Sequence, residues 1–388
     1  MYRSLSSLLT LALAIVTMPL ASSLALPQKE VAADGPSAQG IAERTDDEIV
    51  LIRDDKSYIW DPYPMYDAVG VQWSEVSSRK WRDVATGDFN GDGDDEIVMV
   101  NLLDTGDGPP FTRVLRIHDP VHGPLPDFSK ELVEPGLSYY GDRWWRVATG
   151  DVDHDGIDEV VAVTMPYYPA DSGQTAWQSR FFVIEPGDLS TKCWGSVNGP
   201  SDAFVDGVVV ADMTGYADPV IVLRLNSINS PDRASIHWRD GQACTHIAST
   251  GNKEGFFFGI AAGDMDGNGK DEIALAASPR DEEHDQGEYK SFAVWRQVGG
   301  NPESDSRWWS YNFPGWGAGY FSDPRWDLIA IGDLDGSGNA EAVTIRDPRF
   351  IDPDAKSVQV MVKDPVYTGE GLNKTYWDKV TKASDGVG

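Results

Sequence analysis

The sequence predicts an all-β protein assembled from repeated four-stranded sheets, and three observations carry that expectation. Apolar residues gather in short runs punctuated by Gly and Pro, of which the 388 residues hold 39 and 24. Such punctuation suits strands and turns rather than helices. Helical periodicity is weak along the chain. One pattern then recurs five times, and radial stacking of such units makes a β-propeller.

The copies read WRDVATGDFNGDGDDEIVMV from Trp81, WRVATGDVDHDGIDEVVAV from Trp145, VDGVVVADMTGYADPVIVL from Val205, FFGIAAGDMDGNGKDEIALAA from Phe257 and WDLIAIGDLDGSGNAEAVTI from Trp326. Their first loop aspartates are Asp88, Asp151, Asp212, Asp264 and Asp333, in steps of 63, 61, 52 and 69 residues. In each copy a short apolar strand enters an acidic loop and a second apolar strand leaves it. Alternating stretches at 113–117, 181–184, 234–238, 292–295 and 358–362 read as outer strands. Four strands in about sixty residues fill one propeller blade. The inner runs are almost wholly apolar, as strands buried on both faces should be. Trp81, Trp145, Phe257 and Trp326 are expected to fill the wedge between blades.

At the N-terminus, Arg3, the apolar run 8–16 and Ser23-Leu24-Ala25 read as a signal peptide over residues 1–25. The run is too short for a comfortable membrane span, and no later segment approaches one. Export follows, with 26–45 as a linker and 46–388 as the propeller. The mature length divided by the mean step gives about six blades. Seven is the alternative if 168–201 or 281–320 hides another. Residues 46–53 resemble a strand leaving a loop, and 377–380 a strand entering one. A blade shared by the two termini would close the ring and leave no free edge.

The acidic loops carry the chemistry. Positions one, three, five, seven and nine are Asp88, Asn90, Asp92, Asp94 and Glu96 in the first loop, with Gly93 at six. The second loop has Asp151, Asp153, Asp155, Ile157 and Glu159. The fourth has Asp264, Asp266, Asn268, Lys270 and Glu272, and the fifth Asp333, Asp335, Ser337, Asn339 and Glu341. Oxygens at alternating positions of a tight turn converge, the seventh residue offering its backbone carbonyl, and Gly at six permits the bend. Hard oxygen donors suit calcium. Asx-turns bonded only to their own backbone are the other reading. Four loops in register favour the ion, because their carboxylates repel each other without one. The third loop, with Thr214, Tyr216 and Val220 at positions three, five and nine, should keep the turn and lose the metal. An EF-hand closes with Glu at twelve between helices; here closure falls at nine between strands.

The runs Gly87-Asp88-Phe89-Asn90-Gly91-Asp92-Gly93 and Gly263-Asp264-Met265-Asp266-Gly267-Asn268-Gly269 resemble the FG-GAP/VCBS repeats of integrin α-chain propellers. Similar repeats occur in secreted microbial and fungal calcium propellers, including sugar-binding lectins. The resemblance spans about residue 46 to the C-terminus and implies a propeller with calcium on its loops. It leaves the ligand open, since fold does not settle function.

Net charge is −30, from 32 basic and 62 acidic residues, which argues against a nucleic-acid partner. Cys193 and Cys244 are expected to pair, as export would allow, with two buried thiols as the alternative. Asn373 heads a glycosylation sequon. Surplus aromatics on braced loops suit an extracellular glycan or glycoprotein, with Tyr139, Tyr140, Trp308, Trp309, Trp316 and Tyr320 as stacking candidates and inter-blade packing as the plain alternative. A polysaccharide-active hydrolase or lyase and an adhesion module compete with that reading. The six histidines show no metal or triad spacing, and neither G-x-S-x-G nor H-E-x-x-H occurs.

Overall fold

A computed structural model describes residues 11–17, 47–53, 56–60, 71–76, 81–93, 95–103, 111–118, 130–137, 144–164, 178–198, 203–213, 219–227, 233–249, 253–254, 256–265, 267–278, 290–295, 307–312, 326–333, 339–346, 357–364 and 374–382. Within them every regular element is a strand. The first sheet holds β1 (Leu11–Thr17), β2 (Asp47–Arg53), β3 (Lys56–Trp60) and β4 (Val71–Val76). The second holds β5 (Trp81–Gly87), β6 (Glu96–Leu103), β7 (Phe111–His118) and β8 (Lys130–Leu137). The third holds β9 (Trp144–Gly150), β10 (Glu159–Thr164), β11 (Gln178–Ile184) and β12 (Thr191–Asn198). The fourth holds β13 (Ala203–Ala211), β14 (Val220–Ser227), β15 (Arg233–Asp240) and β16 (His246–Ser249), with β17 (Lys253–Glu254) also paired to β15. The fifth holds β18 (Phe256–Gly263), β19 (Glu272–Ser278), β20 (Lys290–Trp295) and β21 (Arg307–Asn312). The sixth holds β22 (Trp326–Gly332), β23 (Glu341–Arg346), β24 (Ser357–Asp364) and β25 (Lys374–Lys382).

Each sheet is an antiparallel meander in chain order, the pattern of a propeller blade. The five stretches expected as outer strands lie in β7, β11, β15, β20 and β24, each third in its sheet. First strands pack against first strands, β1 on β5, β5 on β9, β9 on β13, β13 on β18 and β18 on β22, and β22 meets β1. The core lies between the sheets. Phe89, Val98, Val100 and Leu115 pack with Trp144, Val147, Val160 and Ala162 across one seam. Val161, Val163, Phe181 and Val183 meet Val205, Val208, Ile221 and Leu223 across the next. Such two-sided burial is why β10 is apolar from Val160 to Val163.

Two expectations change. The terminal segments do not share a blade: 47–53 pairs with β1 in a seven-residue register from Leu11↔Arg53 to Thr17↔Asp47, and 377–380 lies in the outer strand β25. The inner place expected for the C-terminal strand is taken by Leu11–Thr17, part of the segment read as a signal peptide. A short apolar run satisfies both an export signal and a strand buried on two faces, so sequence alone does not separate them. The second change concerns the wedge. Trp81 is buried as expected, but its counterpart is Trp144, not Trp145. Both lie seven residues before the loop aspartate, and an alignment begun at Trp145 slips by one.

The residue after this tryptophan marks a recurring irregularity. The ladder register shifts opposite Arg82, Trp145 and Asp206, and again between Phe257 and Gly259 and between Trp326 and Leu328. One residue, six before the loop aspartate, is thus extra in the first strand of these five sheets, whereas β1 pairs with β2 in unbroken register. Such bulges re-aim side chains. The Arg82 guanidinium lies 3.9 Å from the centre of the Trp145 ring, and that of Arg146 lies 5.0 Å from it.

Candidate metal centres

The loops sit where the first strand of a sheet turns into the second, and in the three best described the same bonds recur. The position-one carboxylate accepts from the backbone N–H groups of positions five and six: Asp88 from Asp92 and Gly93 at 3.2 and 3.0 Å, Asp151 from Asp155 and Gly156 at 3.1 and 2.9 Å, Asp264 from Asn268 and Gly269 at 2.9 and 2.6 Å. This is the Asx-type turn that sequence allowed. The sixth residue adopts φ of 92°, 86° and 79° in Gly93, Gly156 and Gly269, a region that L side chains avoid. His154, at position four, also takes a left-handed φ of 61°.

The closing glutamates go inward. Glu96, Glu159 and Glu272 are almost wholly buried, and in each Oε2 accepts the position-two backbone N–H at 2.9, 2.9 and 3.0 Å. In the first two loops the closing glutamate also approaches position three. In the first loop, Glu96 Oε1 accepts from Asn90 Nδ2 at 2.8 Å. In the second, Asp151, Asp153 and Glu159 bring oxygens within 4.8 Å of one another. Asp155 stays outside that group, exposed, its Oδ1 accepting from Ile157 N at 2.9 Å. Asp94, Asp266, Asp335 and Ser337 lie outside the described residues, as do 214–218 of the third loop. Glu341 of the fifth loop is buried like its counterparts.

The second loop fits a hard cation. Its converging donors are all carboxylate oxygens, and Asp153 Oδ1 is buried with no hydrogen-bond partner. Burial pushes Glu159 above the usual carboxylate range, with Lys192 pulling the other way. Lys192 Nζ bonds Asp153 Oδ2, lies 2.8 Å from Glu159 Oε1 and 3.6 Å from Glu185. Burial opposes the ammonium there, but its bonds to Asp153 and Glu159 outweigh that and hold it charged. Lys270, expected to offer only its carbonyl to the fourth loop, sends Nζ to Asp212 of the third at 2.8 and 2.9 Å.

Neighbouring loops are also clasped to each other. The position-eight N–H donates to the preceding loop's position-one carbonyl: Asp158 to Asp88 at 2.9 Å, Asp271 to Asp212 at 2.8 Å and Ala340 to Asp264 at 2.9 Å. Asp158 and Asp271 answer by accepting from the N–H of Asp88 and Asp212, at 3.2 and 2.7 Å. Burial, with Asp95 nearby, lifts Asp158 to about 7; burial, with Asp212 nearby, lifts Asp271 to about 6. Position eight is Asp in three loops, Asp95, Asp158 and Asp271, a regularity that ligand spacing within one turn leaves without a role.

Cys193 on β12 and Cys244 in the β15–β16 turn are joined, tying the third sheet to the fourth. Arg146 and the fully buried Arg224 converge on Asp206, with Nη2 to Oδ1 and Oδ2 at 3.2 and 2.9 Å. The rings of His237 and His246 lie 6.3 Å apart. Of the aromatic candidates, Trp308 and Trp309 fall on β21 and their side chains are outside the description; Tyr139, Tyr140, Trp316, Tyr320 and the Asn373 sequon lie outside it altogether. Trp194 on β12, which the sequence did not single out, is 60% exposed and stacks on Phe182 at 6.4 Å.

No protein-family model and no curated protein matches the chain, so its likeness to FG-GAP/VCBS repeats rests on the quoted residues. Among solved structures it is similar to an exo-β-1,3-galactanase from Phanerochaete chrysosporium with β-1,3-galactotriose, at 11% identity and TM-score 0.38 over 71% of this chain and 59% of that one. It is similar to the Dos1 propeller at 7% identity and TM-score 0.39, over 81% and 65%. It is also similar to the exotype rhamnogalacturonan lyase YesX at 12% identity and TM-score 0.37, over 87% and 66%. The chain thus spans less than two thirds of the length of each.

Proposed function

We propose that this chain is an exported, six-bladed β-propeller braced by calcium, serving as an extracellular module that binds carbohydrate. The observation that carries the metal is the second loop, where three carboxylates converge around a buried Glu159 and an unpartnered Asp153 oxygen. Asp88, Asn90, Asp92 and Glu96 would hold an ion in the first loop, Asp264, Asn268 and Glu272 in the fourth, and Asp333 and Glu341 in the fifth. Calcium supplies charge that relieves carboxylate repulsion; the chain's own part is to fix the turns. Chelation should therefore lower the melting temperature, since a ligand that binds only the folded state stabilises it. Elemental analysis finding no calcium in the dialysed protein would end this reading.

Carbohydrate as the ligand class is supported by Trp194, an exposed indole seated on Phe182, since a rigid aromatic face suits a pyranose ring. Trp194→Ala should abolish binding on a glycan array with the melting temperature unchanged. Turnover of a polysaccharide panel would favour a hydrolase or lyase instead. Export carries a structural consequence: cleavage after Ala25 would remove β1 and open the inner edge of the first sheet. N-terminal sequencing of the mature protein decides which form exists.

A further inference from the structure

The second loop differs from a bare acidic turn in one respect: a cation of the chain's own already sits in it. The ammonium of Lys192 comes from the outer strand of the same sheet, 33 residues beyond Glu159 and 39 beyond Asp153. Its seat is the oxygens that an ion would take. It bonds Oδ2 of Asp153, whose Oδ1 has no hydrogen-bond partner, and the Oε1 of Glu159 left over from the backbone bond to Val152. Glu185, just before the β11–β12 turn, adds a third carboxylate at 3.6 Å. The turn is shaped for this delivery. Glu185 and Ser190 bond across it, Asp188 accepts from Ser190 N–H, and Leu189 takes a left-handed φ of 59°. The third loop shows the same solution independently, with the Lys270 ammonium chelated by both oxygens of Asp212.

We propose that Lys192 is the resident counter-ion of the second loop, and that calcium enters this loop only in exchange for its ammonium. The inference rests on the calcium reading but concerns a residue of this chain outside the loop pattern. An ammonium gives one charge and up to three hydrogen bonds where a calcium ion gives two charges and takes six or more oxygens. Sharing Glu159 Oε1 and Asp153 Oδ2 would press two cations together, and their repulsion favours one occupant at a time. The loop therefore stays closed without metal, and part of the binding free energy of calcium goes into moving the ammonium out.

Calcium titration by calorimetry of the chelator-treated full chain, as parent and as Lys192→Met, tests this. The variant should bind at one site at least about tenfold more tightly, with the remaining sites unchanged. Adding Asp151→Asn to the variant should remove that tightened site; its persistence would overturn the assignment. Amine acetylation read by mass spectrometry gives a measure that does not depend on affinity. Lys192 should be protected in chelator and become reactive with calcium. Equal reactivity in both states, or equal calcium affinity in parent and variant, overturns the proposal while leaving calcium binding intact. Failure of both proteins to take up calcium at millimolar concentration overturns the calcium reading itself, and the exchange with it. In chelator the variant should also melt lower than the parent, because it leaves three carboxylates without their cation.

Discussion

Replacing Cys193 and Cys244 by Ala removes the disulfide between the third and fourth sheets, and its cost follows from chain entropy. The two residues are 51 apart in sequence with Cα atoms 5.9 Å apart. Opening a loop of that length returns about 14 cal/mol/K to the unfolded chain, so the variant should lose about 4 kcal/mol near room temperature. A cooperative unit of some 340 residues unfolds with about 0.7 kcal/mol/K, which translates to a melting temperature about 6 °C lower. If the third and fourth sheets unfold as a smaller unit, the shift is larger. Alanine is the right replacement because Cys244 is 6% exposed and a hydroxyl there would need a partner. Calorimetry of the parent, the double variant and the reduced parent makes the measurement, and the last two should agree. A double variant melting within about 1 °C of the oxidised parent would refute the reasoning, since the tie would then constrain nothing that unfolding frees.

Asp206→Ala withdraws the carboxylate facing the fully buried Arg224, and should cost about 3–5 kcal/mol in urea denaturation. The pair Asp206→Ala/Arg224→Met should recover most of it; a single-variant loss under about 1 kcal/mol contradicts this. Gly207→Ala would place a Cβ 2.5 Å from Ile260 Cγ2 of the next sheet, for a loss of about 1–3 kcal/mol. Adding Ile260→Ala should then cost less than the sum of the two single changes, and strict additivity would show that the contact is not the cause. Burial, Arg239 and His246 hold the His237 imidazole down to about 4 from 6.5. The unfolded chain therefore takes up a proton below pH 6.5 that the folded chain refuses until about 4. Its contribution is whole above pH 6.5 and is lost as pH falls toward 4. His237→Gln should flatten the stability profile across that window, and parallel profiles would count against the assignment.

Repeat grammar alone determined most of the architecture. Strands enter and leave each loop as expected because a buried inner strand must be apolar on both faces, and a turn with aspartate at one and glycine at six has few alternatives. The third strands were legible for the same local reason. What distance in sequence concealed is what crosses between units. Leu11–Thr17 pairs with β2 although the same short apolar run also reads as an export signal, because local composition suits either role and the pairing partner lies about thirty residues away. Trp145 stood in for Trp144 at the wedge because Trp145-Arg146 repeats the dipeptide Trp81-Arg82 one position late, and only burial tells the two tryptophans apart. Asp158 and Asp271 find their partners only in the neighbouring loop, a contact that no spacing within one turn encodes. The sequence by itself determined where the negative charge collects, because ligand spacing is a property of one turn. Only the tertiary structure decided which positive charge meets it. Lys192 is 39 residues from Asp153, and nothing but the folding back of β12 across its sheet brings ammonium and carboxylates together.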